Sequence, residues 1–531
     1  MKDLTSRQKD YAVFLPAISS FYATYIGKQR SDPNYIPSTR IPASFTNGVE
    51  ELNFLEPEAG SFYYKYALYS AGHADLDLTK DVPREDWIRQ RPRDGSSLLV
   101  GDSGGFQIGK GRWDGDWKDP NCPKAQMKRD LVLKWMDGLM DYGMVLDIPA
   151  WVVRDVDVAT KVGIHTYEDA CLATIINNEY FMKHSTGACK FLNVLQGENH
   201  TEADDWYERM KDYCDPKKYP ETHFRGWSMG GQNMCDVHLL LKRLVHIRHD
   251  GLLEKGKHDW MHFLGTSKLE WATLLTDVQR AVRKYHNENF TISFDCASPF
   301  LATANGQLYI TTETADRTKW VYRMVPSVDQ LKYSTDTRNF RDAVLQDKIF
   351  ETFTDSPLTE KMLIKDVCVY GEGDVNKIGH KKSKAGEIEL DKDGNPIIVE
   401  EKNLYRKHFE SPDDDNDNFK RRTRDTTSWD SFSYALQMGH NVWSHIDAVQ
   451  TANEQYDKGI IPGMLVDEKF DHVYFKDVVE AIFATDNKDE SLMVIEEYNK
   501  LWQSIIGTRG AVGKKTVNPM AKYNDLFEEV Q

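Results

Sequence analysis

Between Val13 and Asp295 the chain repeats one rhythm eight times. A short apolar run meets a polar or glycine stop, and in most repeats a stretch with helical spacing follows. The runs are Val13-Phe14-Leu15-Pro16, Tyr66–Tyr69, Leu98–Val100, Met144–Asp147, Leu192–Gly197, Phe224–Gly231, His262–Gly265 and Ile292–Asp295. Helical spacing is clearest at Leu131, Val132, Trp135, Leu139 and Met140, and again at Trp271, Leu274, Leu275, Val278 and Val282. Eight strands alternating with helices predict an α/β fold, a (β/α)8 TIM barrel. A doubly wound open sheet would gather its polar residues at one switch point. Here they follow at least five strands, which favours the barrel.

The rhythm stops after Thr303. We expect a barrel over residues 1–310 and a mainly helical extension over 311–531, with a hairpin turn at Asp391–Pro396 and helices over Ser433–Lys458, Phe475–Ala484 and Glu490–Ile506. Gln29–Asn53, rich in Pro, Ser, Asn and Gly, reads as a surface excursion. Asp413–Asn418 and Lys420–Arg424 read as solvated charged loops.

Composition narrows the function classes. No apolar run approaches the about 18–20 residues of a membrane span, and no apolar signal core follows Met1–Arg7, so a cytoplasmic protein without a membrane partner is expected. Seven cysteines without a CxxC pair argue for reduced, structural thiols. A net charge of −16 disfavours a protein that coats nucleic acid, although a local basic face is compatible with it.

Asp102, Asp147 and Asp295 each end a strand run. A single acid in that place is most simply the cap of the next helix. Three on one barrel face, beside Gly104-Gly105-Phe106-Gln107, Leu195-Gln196-Gly197 and Met229-Gly230-Gly231, point instead to a site.

These motifs, in this order, resemble the tRNA-guanine transglycosylases. Asp102-Ser103-Gly104-Gly105-Phe106-Gln107 is similar to that family's signature. Val194-Leu195-Gln196-Gly197 and Ser228-Met229-Gly230-Gly231 resemble its later strand ends, and Met144–Pro149 its base-recognition strand. Phe294-Asp295-Cys296, with Pro299 and Asn305-Gly306, is similar to its nucleophile segment. The resemblance spans about Val13–Gln307. It implies that Asp295 attacks C1′ of a guanosine nucleotide and that Asp102 is the general acid–base. It implies that Asp147, Gln196 and Gly197, with the Gly230-Gly231 backbone, read the edge of a 7-deazaguanine, with Phe106 stacked on it and Gln107 beside it. Asp236 falls where the family often has a glutamate supporting the Gly-Gly peptide, and Ser70 and His73 match positions near the ribose more weakly.

Two departures follow. The family's structural zinc is held by a Cys-x-Cys-x-x-Cys set and a later His. Here Cys368 is the one cysteine after Cys296, so His440 lacks that partner set and no metal or other cofactor is expected. The segment Ser298–Ala304 carries no arginine where the family's tRNA contacts lie. Retained carboxylates with lost tRNA contacts resemble the DNA branch of the family, which implies exchange of guanine in DNA for a 7-deazaguanine of the preQ0 kind. DNA and the free base would then be the partners, with Gly109–Trp117 and Lys420–Trp429 as candidate DNA contacts. The alternatives are a tRNA or other RNA substrate, or a non-catalytic binding subunit.

Overall fold

The computed structural model describes residues 2–33, 35–36, 38–79, 87–328, 331–346, 353–368, 377–380, 383, 389–395, 397–401, 429–467 and 472–505. Strands β1 (Val13–Pro16), β2 (Tyr66–Ser70), β3 (Leu98–Asp102), β4 (Tyr142–Met144), β5 (Lys190–Leu195), β6 (Gly226–Met229), β7 (Trp260–Phe263) and β8 (Thr291–Cys296) form one parallel sheet. Its order is β1-β8-β7-β6-β5-β4-β3-β2. Beyond the strand ends, the Ile18 N–H donates to the Leu68 carbonyl at 2.9 Å, drawing β1 toward β2 and nearly closing the barrel. The expected (β/α)8 architecture is therefore the observed one, with a mainly helical C-terminal region packed on it.

Alternation along the strands sorts side chains between two cores, because successive residues of a strand face opposite ways. Val13 and Leu15, Leu68, Val100, Met144 and Leu192 fill the barrel interior, closed by the Tyr142–Trp260 stack at 4.6 Å between ring centres. The outer core lies between the strands and helices such as Pro123–Leu139, Tyr167–His184, Val237–His249 and Leu269–Tyr285. Tyr167–His184 begins where Thr166 and Asp169 form a reciprocal capping box, so two otherwise unpaired N–H groups are satisfied locally.

Several segments differ from the sequence expectation. β4 ends at Met144, so Asp147 stands beyond the strand rather than on its last residue. Gln29–Asn53 is only in part a surface excursion. A helix over Ser20–Ser31 leads into 3₁₀ turns, Ile36, Phe45, Val49 and Leu52 are buried, and Phe45 packs edge-on to Phe432 of the C-terminal region. Their aperiodic spacing gives no helix or strand signal, because a tertiary surface rather than a repeating face covers them.

After β8 comes a short helix, Ser298–Ala304, and an antiparallel pair follows, β9 (Gln307–Glu313) with β10 (Val321–Pro326). The Asp391–Asn395 turn forms, with the Asp391 N–H donating to the Asn395 carbonyl at 2.7 Å. Strand Ile398–Glu401 pairs with Lys377–His380. The expected helix over Glu490–Ile506 is two, Lys488–Glu497 and Asn499–Ile505.

The long helix Ser431–Asp457 binds the extension to the barrel. Tyr456 donates to Asp277 at 2.5 Å, Gln450 to the Leu4 carbonyl at 2.7 Å, and Arg40 pairs with the buried Asp430 at 2.5 Å. Among the described residues no helix is long and apolar enough to cross a membrane.

Candidate active site

Parallel strands in a barrel bring all eight carboxyl ends to one rim. Asp102 closes β3 and Asp295 lies one residue from the end of β8. Asp147 follows β4 and Gln196 follows β5. None of the three acids caps a helix: the N-cap residues after Asp102, Asp147 and Asp295 are Gly104, Pro149 and Ala297, none with a side-chain cap. The capping explanation fails for these three. It holds for Asp236, whose carboxylate accepts from the Leu239 N–H at 3.2 Å and pairs with His200 at 2.8 Å. Asp236 is buried, and its backbone N–H donates to the Gln232 carbonyl at 3.2 Å, bracing the Gly231–Asp236 turn.

The three carboxyls differ in surroundings. Asp102 accepts a 2.5 Å hydrogen bond from Ser70, its neighbour in register on β2. Burial pushes its pKa up, against the Ser70 hydrogen bond, and the charge of Asp295 pushes it further in the same direction. That coupling marks Asp102 and Asp295 as electrostatic neighbours. Asp147 is buried and accepts from the Gln196 amide at 2.7 Å. Burial raises its pKa to about 7, with the Asp102 charge adding to the rise. Asp295 keeps 13% of its side-chain surface exposed. Its Oδ1 accepts from the Gly265 N–H at 2.8 Å and lies 3.2 Å from His262 Nε2.

Backbone makes the room for this cluster. A Cβ on Gly105 would lie 2.6 Å from the Asp147 carbonyl oxygen, and one on Gly230 would lie 2.7 Å from Gln196 Nε2. Only glycine lets both turns come this close. Gly230 donates its own N–H to the Leu195 carbonyl at 2.8 Å, and the Gln232 N–H reaches the Gly197 carbonyl at the same distance, so the β5 and β6 turns are tied together. Any donor to a ligand from the Gly-Gly peptide is thus not the Gly230 N–H.

Phe106 is 54% exposed and lies 5.9 Å from Trp151, ring centre to ring centre. Lys110 sits 5.2 Å from the Phe106 ring and 5.5 Å from Trp151. Gln107 is buried, its side chain packed against Gly72 after β2. His73 is exposed on that loop, near enough for its charge to favour ionised Asp102.

Trp151, His262, Ser293 and Gly265 carry no role in the sequence reading, and Lys110 enters it only within the Gly109–Trp117 contact segment. His262 had one usable signal, its alternation with the inward Trp260. Two of the expected nucleic-acid contacts are corrected. Trp117 is fully buried and donates its indole N–H to the Trp113 carbonyl at 3.1 Å, so it has no face to offer a base. Trp429 is buried too, donating to the Val328 carbonyl at 2.7 Å. The Asp413–Asn418 and Lys420–Arg424 runs lie outside the described residues.

The two residues that the zinc comparison singled out are engaged elsewhere. His440 contacts Ser356 Oγ at 2.8 Å and the Tyr309 carbonyl at 2.7 Å, and burial lowers its pKa to about 4. Cys368 contacts the Val328 carbonyl at 3.5 Å. They do not form a zinc ligand set, and no cluster of three or more His, Cys, Asp or Glu among the described residues is arranged to hold a metal ion.

No family model matches the chain, and no curated protein sequence matches it. The fold and the rim define it as a (β/α)8 barrel with three carboxyl groups, each in its own environment, at the carboxyl ends of its strands beside close-packed glycine turns.

Proposed function

We propose that the chain is a base-exchange transglycosylase that replaces guanine in DNA with a 7-deazaguanine. The observation that carries this reading is the convergence of Asp102, Asp147 and Asp295 on one rim in three different surroundings. Asp295 offers a partly exposed carboxylate oxygen. Asp102 sits in surroundings that favour its proton, beside that carboxylate. Asp147, held by Gln196, forms a buried acceptor edge.

In the proposed reaction, Asp295 attacks C1′ of the nucleotide as the C1′–N9 bond breaks. The bonding pair leaves with guanine, which takes the proton from Asp102. A glycosyl-aspartate remains, as in retaining glycosidases. The incoming deazaguanine then gives its N9 proton to Asp102. Its N9 attacks C1′, and Asp295 departs as a carboxylate. Two coupled carboxyls with unequal surroundings suit this division of labour. Asp147 suits the N1–H and 2-amino donors of the base, and the exposed Phe106 face suits stacking.

DNA is favoured over tRNA because Ser298–Ala304 presents no basic residue and leaves Leu301 exposed. The test supplies labelled preQ0 with DNA and tRNA in parallel. Label is expected in DNA, with none when Asp295→Asn replaces the wild type. Label in tRNA alone would refute the choice of polymer, and exchange by Asp295→Asn would refute the nucleophile.

A further inference from the structure

His262 is fully buried between the barrel interior and the rim. It lies on β7 opposite Ser293 of β8, and Asp295 follows two residues on, facing the same way. Trp260, two residues before His262, donates its indole N–H to Ser293 Oγ at 2.8 Å. His262 Nδ1 lies 2.9 Å from the same oxygen, and Nε2 lies 3.2 Å from Asp295 Oδ1. From this geometry we infer that Trp260, Ser293 and His262 form a relay that orients the Asp295 carboxylate and selects Oδ2 as its attacking oxygen.

The chemistry of the donors sets the direction. An indole N–H only donates, so Ser293 Oγ accepts from Trp260 and keeps its own hydrogen to give. Among the described residues, the acceptor in reach of that hydrogen is His262 Nδ1. The imidazole then carries its proton on Nε2 and donates it to Asp295. The opposite tautomer would aim an Nε2 lone pair at a carboxylate oxygen and leave the Ser293 hydrogen without that acceptor. The Gly265 N–H reaches the same Oδ1 at 2.8 Å. Two donors therefore hold one oxygen, and Oδ2 accepts no hydrogen bond among the described residues. Fixing one oxygen stops the carboxylate from rotating away from the approach line, and an error of about 1 Å there costs about a hundredfold in rate. His262 is a positioning residue, since it touches the nucleophile and not the substrate.

This inference rests on the base-exchange reading, so its test has one arm that does not. In the full-length free protein, ¹⁵N-histidine NMR should show His262, assigned by its loss in His262→Gln, as the Nε2–H tautomer. Ser293→Ala should weaken that preference. An Nδ1–H tautomer, or one unmoved in Ser293→Ala, would overturn the relay. In the second arm, covalent adduct with a guanine-containing DNA oligonucleotide is followed by denaturing gel. His262→Phe should slow adduct formation about a hundredfold, and His262→Gln, which keeps an N–H donor, should recover most of that loss. Affinity for preQ0 should stay within about twofold. An undiminished rate in His262→Phe would overturn the inference. So would parallel losses of rate, preQ0 affinity and melting temperature in both variants, which would mark a structural role. No adduct from the wild type would overturn the base-exchange reading and leave the tautomer to decide the relay.

Discussion

Under the proposed function, Asp147 should make base binding depend on pH in a way that can be worked out in advance. Burial is the largest cause of its raised pKa, about 7. A deazaguanine edge offers donors, so it needs the ionised acid. From that pKa, about nine-tenths of Asp147 is ionised at pH 8 and about one-tenth at pH 6. The dissociation constant for preQ0 should therefore rise about tenfold from pH 8 to pH 6, or about 1.4 kcal/mol. Binding at pH 7 should release about half a proton per ligand, because the bound acid must be ionised. Titration calorimetry in buffers of different ionisation enthalpy measures both quantities. Asp147→Asn keeps the Gln196 partner position but loses the charge. Its affinity should fall by about 1.5–3 kcal/mol and lose the pH slope, since hydrogen bonds to charged groups carry about that much. A flat affinity from pH 6 to 8 without proton release would refute the base-reading role. A slope that survives in Asp147→Asn would assign the titration to another group, with Asp102 the first candidate.

Three further outcomes follow from the packing. Asp277 is buried under Tyr456 with its pKa raised to about 7, so between about pH 4 and pH 7 the folded protein holds a proton that the unfolded chain releases, and stability falls as pH rises. Asp277→Asn should match wild type near pH 4 and melt higher at pH 8, with a ceiling of about 4 kcal/mol; equal melting at both pH values would contradict this. Gly105→Ala would place a methyl 2.6 Å from the Asp147 carbonyl oxygen, so it should abolish preQ0 binding by calorimetry, and intact binding would remove the close-approach argument. Trp117→Ala empties a fully buried site and should cost about 3–5 kcal/mol in denaturant unfolding; an unchanged midpoint with lost DNA binding would restore Trp117 as a contact.

The strand–helix rhythm made the barrel readable because each strand in a closed parallel sheet announces itself by a short apolar run and a polar stop. The acids were readable as a group for the same reason: residues at strand ends share a rim whatever the loops do. Boundaries were less legible. Asp147 stands beyond β4 because pairing with β5 sets the strand end, and a run of Met144, Val145 and Leu146 carries no mark of that register. The buried positions within Gln29–Asn53 were illegible because their cover comes from residues hundreds of positions away, such as Phe432 for Phe45.

The sequence by itself thus determined the barrel and the acids at its mouth, since both follow from local periodicity and order along the chain. Only the tertiary structure decided what each residue touches there. It separated Asp236, a helix cap, from Asp102, Asp147 and Asp295, which cap nothing. It buried Trp117, and it placed His262 behind Asp295. Those distinctions depend on register between strands and on which side chain meets which donor, and neither is written in the spacing of residues along one strand.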